Sequence, residues 1–249
     1  MNLIDFTGKK ILVTGASSGI GAATAILLSK LGAKVVVCGR EQSRLTQTLE
    51  AMECPSRHIT LAFDVLDFSH YESYFQQMVC NGEKLSGLVH CAGIQKPMVL
   101  RGITQKMIYE IMDTNFSSFL MLSSMFVRKK YSESGHIVGV SSINAHYPQT
   151  AMSIYAASKG AMEASVRTLA LELAKQNRRI NCVVPGAIDT PMLDDIPREN
   201  IEHIASHFLL GMGSADMVAN TIAFLLSEAS CYTTGRAFFV DGGMLANSI

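Results

Sequence analysis

The chain of 249 residues is 48% hydrophobic and 17% charged, enough apolar material to bury a full α/β core and too much for a disordered segment. Lys plus Arg and Asp plus Glu both total 21, so no overall field draws the protein to nucleic acid or to an anionic membrane, and neither is an expected partner. The six cysteines (Cys38, Cys54, Cys80, Cys91, Cys182, Cys231) lack C-x-x-C spacing and read as reduced thiols rather than metal ligands, and Met1 to Asp5 opens no signal sequence, so a metal-free cytoplasmic protein is expected.

Lys10–Thr14 is the first of seven short β-branched runs, followed by Lys34–Gly39, Ile59–Asp64, Gly87–Cys91, His136–Ser141, Ile180–Val184 and Ala237–Val240. Helical patterns fill the gaps, among them Ala22–Leu31, Gln105–Lys130 and Ser153–Gln176. Alternation of strand and helix predicts parallel neighbours joined by right-handed crossovers, and continuously apolar strands predict a sheet covered on both faces. The expected architecture is a doubly wound, seven-stranded parallel sheet with helices on both faces, a single-domain Rossmann fold over residues 1–249. The apolar stretch Phe116–Val127 is interrupted by four serines and is shorter than the roughly 20 residues of a membrane span. Between the sixth strand and a helix starting near Ser214, residues 191–210 form a long insertion, read as a flap over a substrate or as a packed surface helix pair.

After the first strand comes Thr14-Gly15-Ala16-Ser17-Ser18-Gly19-Ile20-Gly21 and then an apolar helix. Gly15 permits a tight turn, Gly19 lets the backbone approach a pyrophosphate, and Gly21 lets the helix pack close, with phosphates at the positive helix end beside Ser17, Ser18 and Ile20. The second strand ends at Gly39-Arg40 instead of an acidic residue. Arg40 offers a cationic fork to a 2′-phosphate, with Ser17 or Ser18 as further donors, so NADPH/NADP+ is expected in preference to NADH.

Tyr155 and Lys159 lie four apart near the start of a long helical pattern, on one face, and form an acid–base pair. A nearby ammonium favours the phenolate and brings a phenol toward the working pH. Ser142, at the end of the fifth strand, can hold a substrate oxygen; Ser141 is the alternative, because adjacent strand residues face opposite sides.

With the T-G-x-x-x-G-x-G loop at Thr14–Gly21 and the Y-x-x-x-K pair at Tyr155 and Lys159, the sequence resembles the short-chain dehydrogenase/reductase family over nearly its whole length, in particular its 3-oxoacyl-carrier-protein reductase-like members. The resemblance implies an oxidoreductase that moves hydride between a nicotinamide and a ketone or secondary alcohol. Tyr155 would be the general acid or base, Lys159 would lower its pKa and bind the nicotinamide ribose, Ser142 would polarise the carbonyl, and Asn115, a helix-breaking asparagine, would hold a water of the proton relay. It further implies adenine contact at Asp64 and Val65, and cofactor contact at Cys91 (backbone only), Ala92 and Gly93. Pro185, Gly186, Ile188 and Thr190 would meet the nicotinamide side. Where many relatives read Asn-Asn-Ala-Gly, this chain reads His90-Cys91-Ala92-Gly93, and His90 is read as structural.

Substrate-facing candidates are Ile143–Tyr147, Gln95–Pro97, Met152, Ala187, Met192, His203, His207 and Phe208, which suit either a 3-oxoacyl thioester or a keto-sugar or polyol. The basic pairs Lys129-Lys130 and Arg178-Arg179 are candidate docking points for an acyl carrier protein. A second apolar stripe at Met121, Leu122, Met125, Phe126, Met162, Val166, Leu169 and Leu173, with the habit of relatives to assemble through these helices, implies a homotetramer. Two rival readings use the same fold: an epimerase or dehydratase, and a nucleotide-binding regulator without turnover.

Overall fold

A computed structural model of the chain describes residues 4–194 and 203–248, so the centre of the expected flap, 195–202, lies outside the described residues. Seven strands, β1 (Lys10–Thr14), β2 (Lys34–Gly39), β3 (Ile59–Ala62), β4 (Gly87–His90), β5 (His136–Val140), β6 (Ile180–Pro185) and β9 (Ala237–Val240), form one sheet in the order β3-β2-β1-β4-β5-β6-β9, parallel throughout. The expected runs are all strands. Their ends move by one or two residues, where the chain turns into the loops of the site.

Within β1 the side chains alternate between two cores. Leu12 joins Val36, Leu88, Phe119 and Met162 on one face, while Ile11 and Val13 join Leu28, Val37, Val138 and Ile222 on the other. Helices α1 (Gly19–Lys30), α2 (Gln42–Glu50) and α7 (Ala215–Leu226) cover the second face. Helices α3 (Tyr71–Met78), α5 (Ser118–Phe126) and α6 (Ser153–Ala174) cover the first. Among the described residues no helix is long and apolar enough to cross a membrane.

Two sequence expectations are corrected, and one strand pair was not anticipated. The helix expected over Gln105–Lys130 is two helices, α4 (Gln105–Met112) and α5, joined by a π turn at Asp113–Ser117 that inserts one extra residue per turn and shifts the register. Of the supposed second apolar stripe, Leu122, Met125, Phe126, Met162, Val166 and Leu173 are buried in the chain's own core, because α5 and α6 pack against the sheet and its neighbours on more than one side. Met121 remains exposed, and so does Leu171, which the stripe did not include. Finally, the ends of the 191–210 region are joined by an unanticipated parallel pair, β7 (Ile188–Asp189) with β8 (Gly213–Ser214), too short to leave a sequence pattern.

Strand order reverses between β1 and β4: β1 to β3 are wound toward one edge and β4 to β9 toward the other. The loops leaving the carboxyl ends of β1 and β4 therefore diverge and leave a crevice, where a doubly wound sheet binds its ligand.

Candidate active site

The crevice is a cleft of about 740 Å³ lined by every expected catalytic and cofactor-binding residue except Asn115, which lies fully buried behind it. At the phosphate end the glycines are required by close approach. A Cβ on Gly15 would lie 2.7 Å from the Ala92 nitrogen, and one on Gly21 would lie 2.2 Å from the Gly15 carbonyl oxygen. Any side chain there would push α1 away from β1 and β4. Ser18 is the N-cap of α1, yet its hydroxyl makes no capping bond, and the first turn carries no acidic residue. The positive helix end is thus left for an anion from outside the helix, and this cradle fits the pyrophosphate of a dinucleotide.

At the end of β2, a Cβ on Gly39 would sit 3.4 Å from the Ser17 hydroxyl, so Gly39 keeps this corner open. Arg40 is exposed at its rim. Arg44 also lines the cleft, in the first turn of α2, with its Nε 3.2 Å from Glu41 Oε2. The sequence reading missed this second cation, because Arg40 precedes α2 and no helical spacing links the two.

Near the carboxyl ends of β5 and β6, Ser142, Tyr155 and Lys159 line the same cleft. Tyr155 is 7% exposed; burial pushes its phenol up, and the Ser142 hydroxyl beside it pulls the other way. Burial pushes Lys159 down to about 8. Its Nζ donates to the Val140 carbonyl at 2.8 Å and stands 5.6 Å from the centre of the Tyr155 ring. Asn115 sits in the π turn with its side chain fully engaged. Its Oδ1 accepts from Ile94 N at 2.8 Å, while its Nδ2 donates to Ile94 O at 3.0 Å and to Ser158 Oγ at 2.9 Å. These bonds pin the turn against the loop after β4 and against the helix that carries Tyr155 and Lys159. Ser141, the alternative orienting hydroxyl, is instead engaged by Glu163, donating to its Oε1 at 2.5 Å.

His90 replaces the lost amide with a buried relay. Ser118 Oγ is 2.6 Å from the Thr114 carbonyl and donates its proton there, so its oxygen accepts from His90 Nε2–H at 3.2 Å. His90 Nδ1 is then left to accept from Thr14 Oγ1–H at 3.0 Å, and Thr14 Oγ1 accepts from Ala92 N–H at 3.3 Å. Burial first, and then the Lys159 charge, hold the imidazole down to about 3, so it is neutral and structural. The Cys91 thiol is pushed up to about 12 by burial and is no nucleophile.

The substrate end departs from expectation. Gln95, Pro97, Ile143, Asn144, Met152, Ala187, Met192, Leu193 and Phe208 line it, together with the unforeseen Ile94, Gln149, Thr150 and Ile204. Lys96, Ala145, His146, Tyr147, His203 and His207 do not. Lys96 pairs with Glu110 at 2.5 Å, and His146 turns back to Glu163 at 2.8 Å. His203 and His207 stack edge to face on one another at 4.9 Å. The carrier-docking sites also fail on position, since both basic pairs lie at the amino ends of β5 and β6, opposite the cleft. Arg178 and Arg179 are moreover buried: Arg178 bonds the Ser132 hydroxyl and carbonyl, and Arg179 the Leu225 and Ser227 carbonyls and the Ser230 hydroxyl.

The family described as enoyl-(acyl carrier protein) reductase matches residues 15–245. The 3-oxoacyl-[acyl-carrier-protein] reductase of Thermotoga maritima is 32% identical over 241 residues, covering 96% of this chain and 98% of that protein. Glucose 1-dehydrogenase of Gluconobacter oxydans is 36% identical, covering 96% of this chain and 92% of its own. L-xylulose reductase of Caenorhabditis elegans is 33% identical, covering 98% of each. A solved structure of a candidate gluconate dehydrogenase from Agrobacterium tumefaciens superposes with a TM-score of 0.92 at 28% identity and covers 99% of each chain. These names differ in substrate and agree on oxidation and reduction. The chain belongs to the short-chain dehydrogenase/reductase family and is an NAD(P)-dependent oxidoreductase acting between CH–OH and C=O.

Proposed function

We propose that the protein reduces a ketone to a secondary alcohol with NADPH, with Tyr155 as proton donor. The observation that carries this reading is the meeting of Ser142, Tyr155 and Lys159 with the glycine cradle and Arg40 in one cleft. Bound NADP(H) supplies or takes the hydride. Gly15, Ser17, Ser18, Gly19, Ile20 and Gly21 would hold its pyrophosphate, Arg40 its 2′-phosphate and Asp64 and Val65 its adenine. Cys91 (through backbone), Ala92, Gly93, Pro185, Gly186, Ile188 and Thr190 would line its nicotinamide half.

Ser142 holds the substrate oxygen and Tyr155 gives it a proton, or removes one in the oxidative direction. Lys159 acts as an ammonium: its positive charge stabilises the phenolate that remains, and it binds the nicotinamide ribose. Because the Asn115 side chain is engaged, its part in the relay falls to its backbone carbonyl, in a turn whose hydrogen-bond ladder is shifted by the π geometry. Turnover of a ketone with NADPH, lost in Tyr155→Phe with cofactor binding retained, is the expected result. Full activity in that variant would overturn the mechanism.

For the substrate, the apolar wall of Ile94, Met152, Met192, Leu193, Ile204 and Phe208 favours a 3-oxoacyl thioester. The amides of Gln95, Asn144 and Gln149 favour the second reading, a keto-sugar or polyol. We read residues 1–249 as one domain, with 191–210 as a flap over this end. The β7–β8 pair joins its base, Gln95 Nε2 donates to the Met192 carbonyl at 3.3 Å, and Phe208 packs on Ile143 and Met244. All six cysteines are free, which supports a reducing compartment, the cytoplasm. Exposed Leu171, Met121 and Tyr109 on α4, α5 and α6 support assembly into a homotetramer.

A further inference from the structure

We infer that Glu163 is a positioning residue of this active site: its carboxylate clamps both ends of the segment bearing Ser142 onto the helix bearing Tyr155 and Lys159. Glu163 lies on α6, one turn beyond Lys159 and two beyond Tyr155, and is 4% exposed. One carboxylate oxygen accepts from Ser141 Oγ at 2.5 Å, and the other meets His146 Nε2 at 2.8 Å. Ser141 immediately precedes Ser142, and His146 closes the turn Ile143–Ala145 that follows it.

The geometry gives the clamp a direct effect on Ser142. Ser142 has extended backbone, φ −163 and ψ 150, so consecutive side chains point to opposite sides. Fixing Ser141 toward α6 turns Ser142 toward the cleft. Beyond it, Ser142 Oγ accepts from Asn144 N at 3.2 Å, and the His146 ring packs edge to face on Phe239 at 4.8 Å, which holds the imidazole on the carboxylate. Asn144 and Ile143, between the two anchors, line the substrate end. A buried carboxylate bonded to a hydroxyl and an imidazole is costly beside Met162 and Val166, where an apolar side chain would pack as well. Its effect is geometric: it sets the distance between the two hydroxyls that must share one substrate oxygen.

This inference rests on the Ser142–Tyr155 reading above, and the test separates the two. Glu163→Leu is expected to lower kcat about 100-fold, the scale of a 1 Å misplacement, with the Kd for NADPH unchanged. Glu163→Gln, whose amide can still pair with both partners, restores most of it. In a Ser142→Ala background, Glu163→Leu should add less than about threefold, because the clamp acts through Ser142. Without turnover, the 13Cζ resonance of Tyr155, identified by its loss in Tyr155→Phe, should shift in the same direction in Glu163→Leu and Ser142→Ala. This readout holds even if the wild type reduces no ketone offered, an outcome that defeats the functional reading alone. Should Glu163→Leu fail to fold, Ser141→Ala and His146→Phe each release one end of the clamp and should each lower kcat, again without effect in Ser142→Ala. A full loss persisting in the Ser142→Ala background, or a Tyr155 resonance indifferent to the clamp variants, would overturn the inference.

Discussion

Lowering the pH from 7 to 5 should cost the protein about 2 kcal/mol of stability through His90 alone. His90 is fully buried between β1 and the π turn, and burial, aided by the Lys159 charge, holds it down to about 3. In the unfolded chain the same imidazole takes up a proton near pH 6.5. Between these values the unfolded state binds a proton that the folded state excludes, so stability falls as pH falls through 6.5, by about 1.4 kcal/mol per pH unit, and stops falling only near 3. His136, held down to about 4 by burial and then by Arg179, adds a similar slope, bringing the loss at pH 5 to about 4 kcal/mol for the two. His90→Asn keeps a donor and an acceptor and removes the titration. Urea unfolding at pH 5, 6 and 7 and fixed protein concentration should show the variant losing about 2 kcal/mol less than the wild type between pH 7 and pH 5, an average of about 1 kcal/mol per pH unit. Equal slopes would refute the argument, since His90 would then charge in the folded protein.

Arg40→Ala should raise the Kd for NADPH about tenfold or more, the loss of one charge-assisted hydrogen bond, and leave NADH unchanged; fluorescence titration checks this, and an undiminished NADPH affinity would return the preference to NADH. Arg44→Ala should have a smaller effect, because Arg44 already pairs with Glu41. Leu171 is 74% exposed on α6, and Leu171→Glu should lower the assembly size in light scattering with the circular dichroism spectrum unchanged; a wild-type monomer at micromolar concentration would defeat the tetramer.

The parts of the site legible in the sequence are those whose chemistry is written in one residue type at a fixed spacing. Gly15 and Gly21 are legible because only glycine tolerates contacts of 2.7 and 2.2 Å, and Tyr155 with Lys159 because one helical turn separates them. Whether a charge is solvated is not written this way. Arg178 and Arg179 looked like a surface cluster, yet they satisfy the carbonyls at the end of α7 and near Ser132, which reach them only through tertiary packing. The same holds for Ser141 and Glu163, 22 residues apart and joined only when β5 docks on α6. Both could have been suspected from charged or polar residues set among apolar neighbours, but neither partner could have been named.

The two halves of the cleft need different things from the fold, and the hidden contacts are the ones that join them. The cofactor half depends on backbone proximity at β1 and β4, which glycine secures locally. The catalytic half depends on side-chain aim across β5, α6 and the π turn, which no local propensity secures. His90 ties β1 to the π turn, Asn115 ties that turn to α6 through Ser158, and Glu163 ties α6 back to β5. Of these ties only that of Glu163 is remote from the glycine cradle, since His90 and Asn115 also hold Thr14 and Ile94 beside it. Loss of the Glu163 tie should therefore appear in kcat before it appears in cofactor affinity, the opposite of what Arg40→Ala should do.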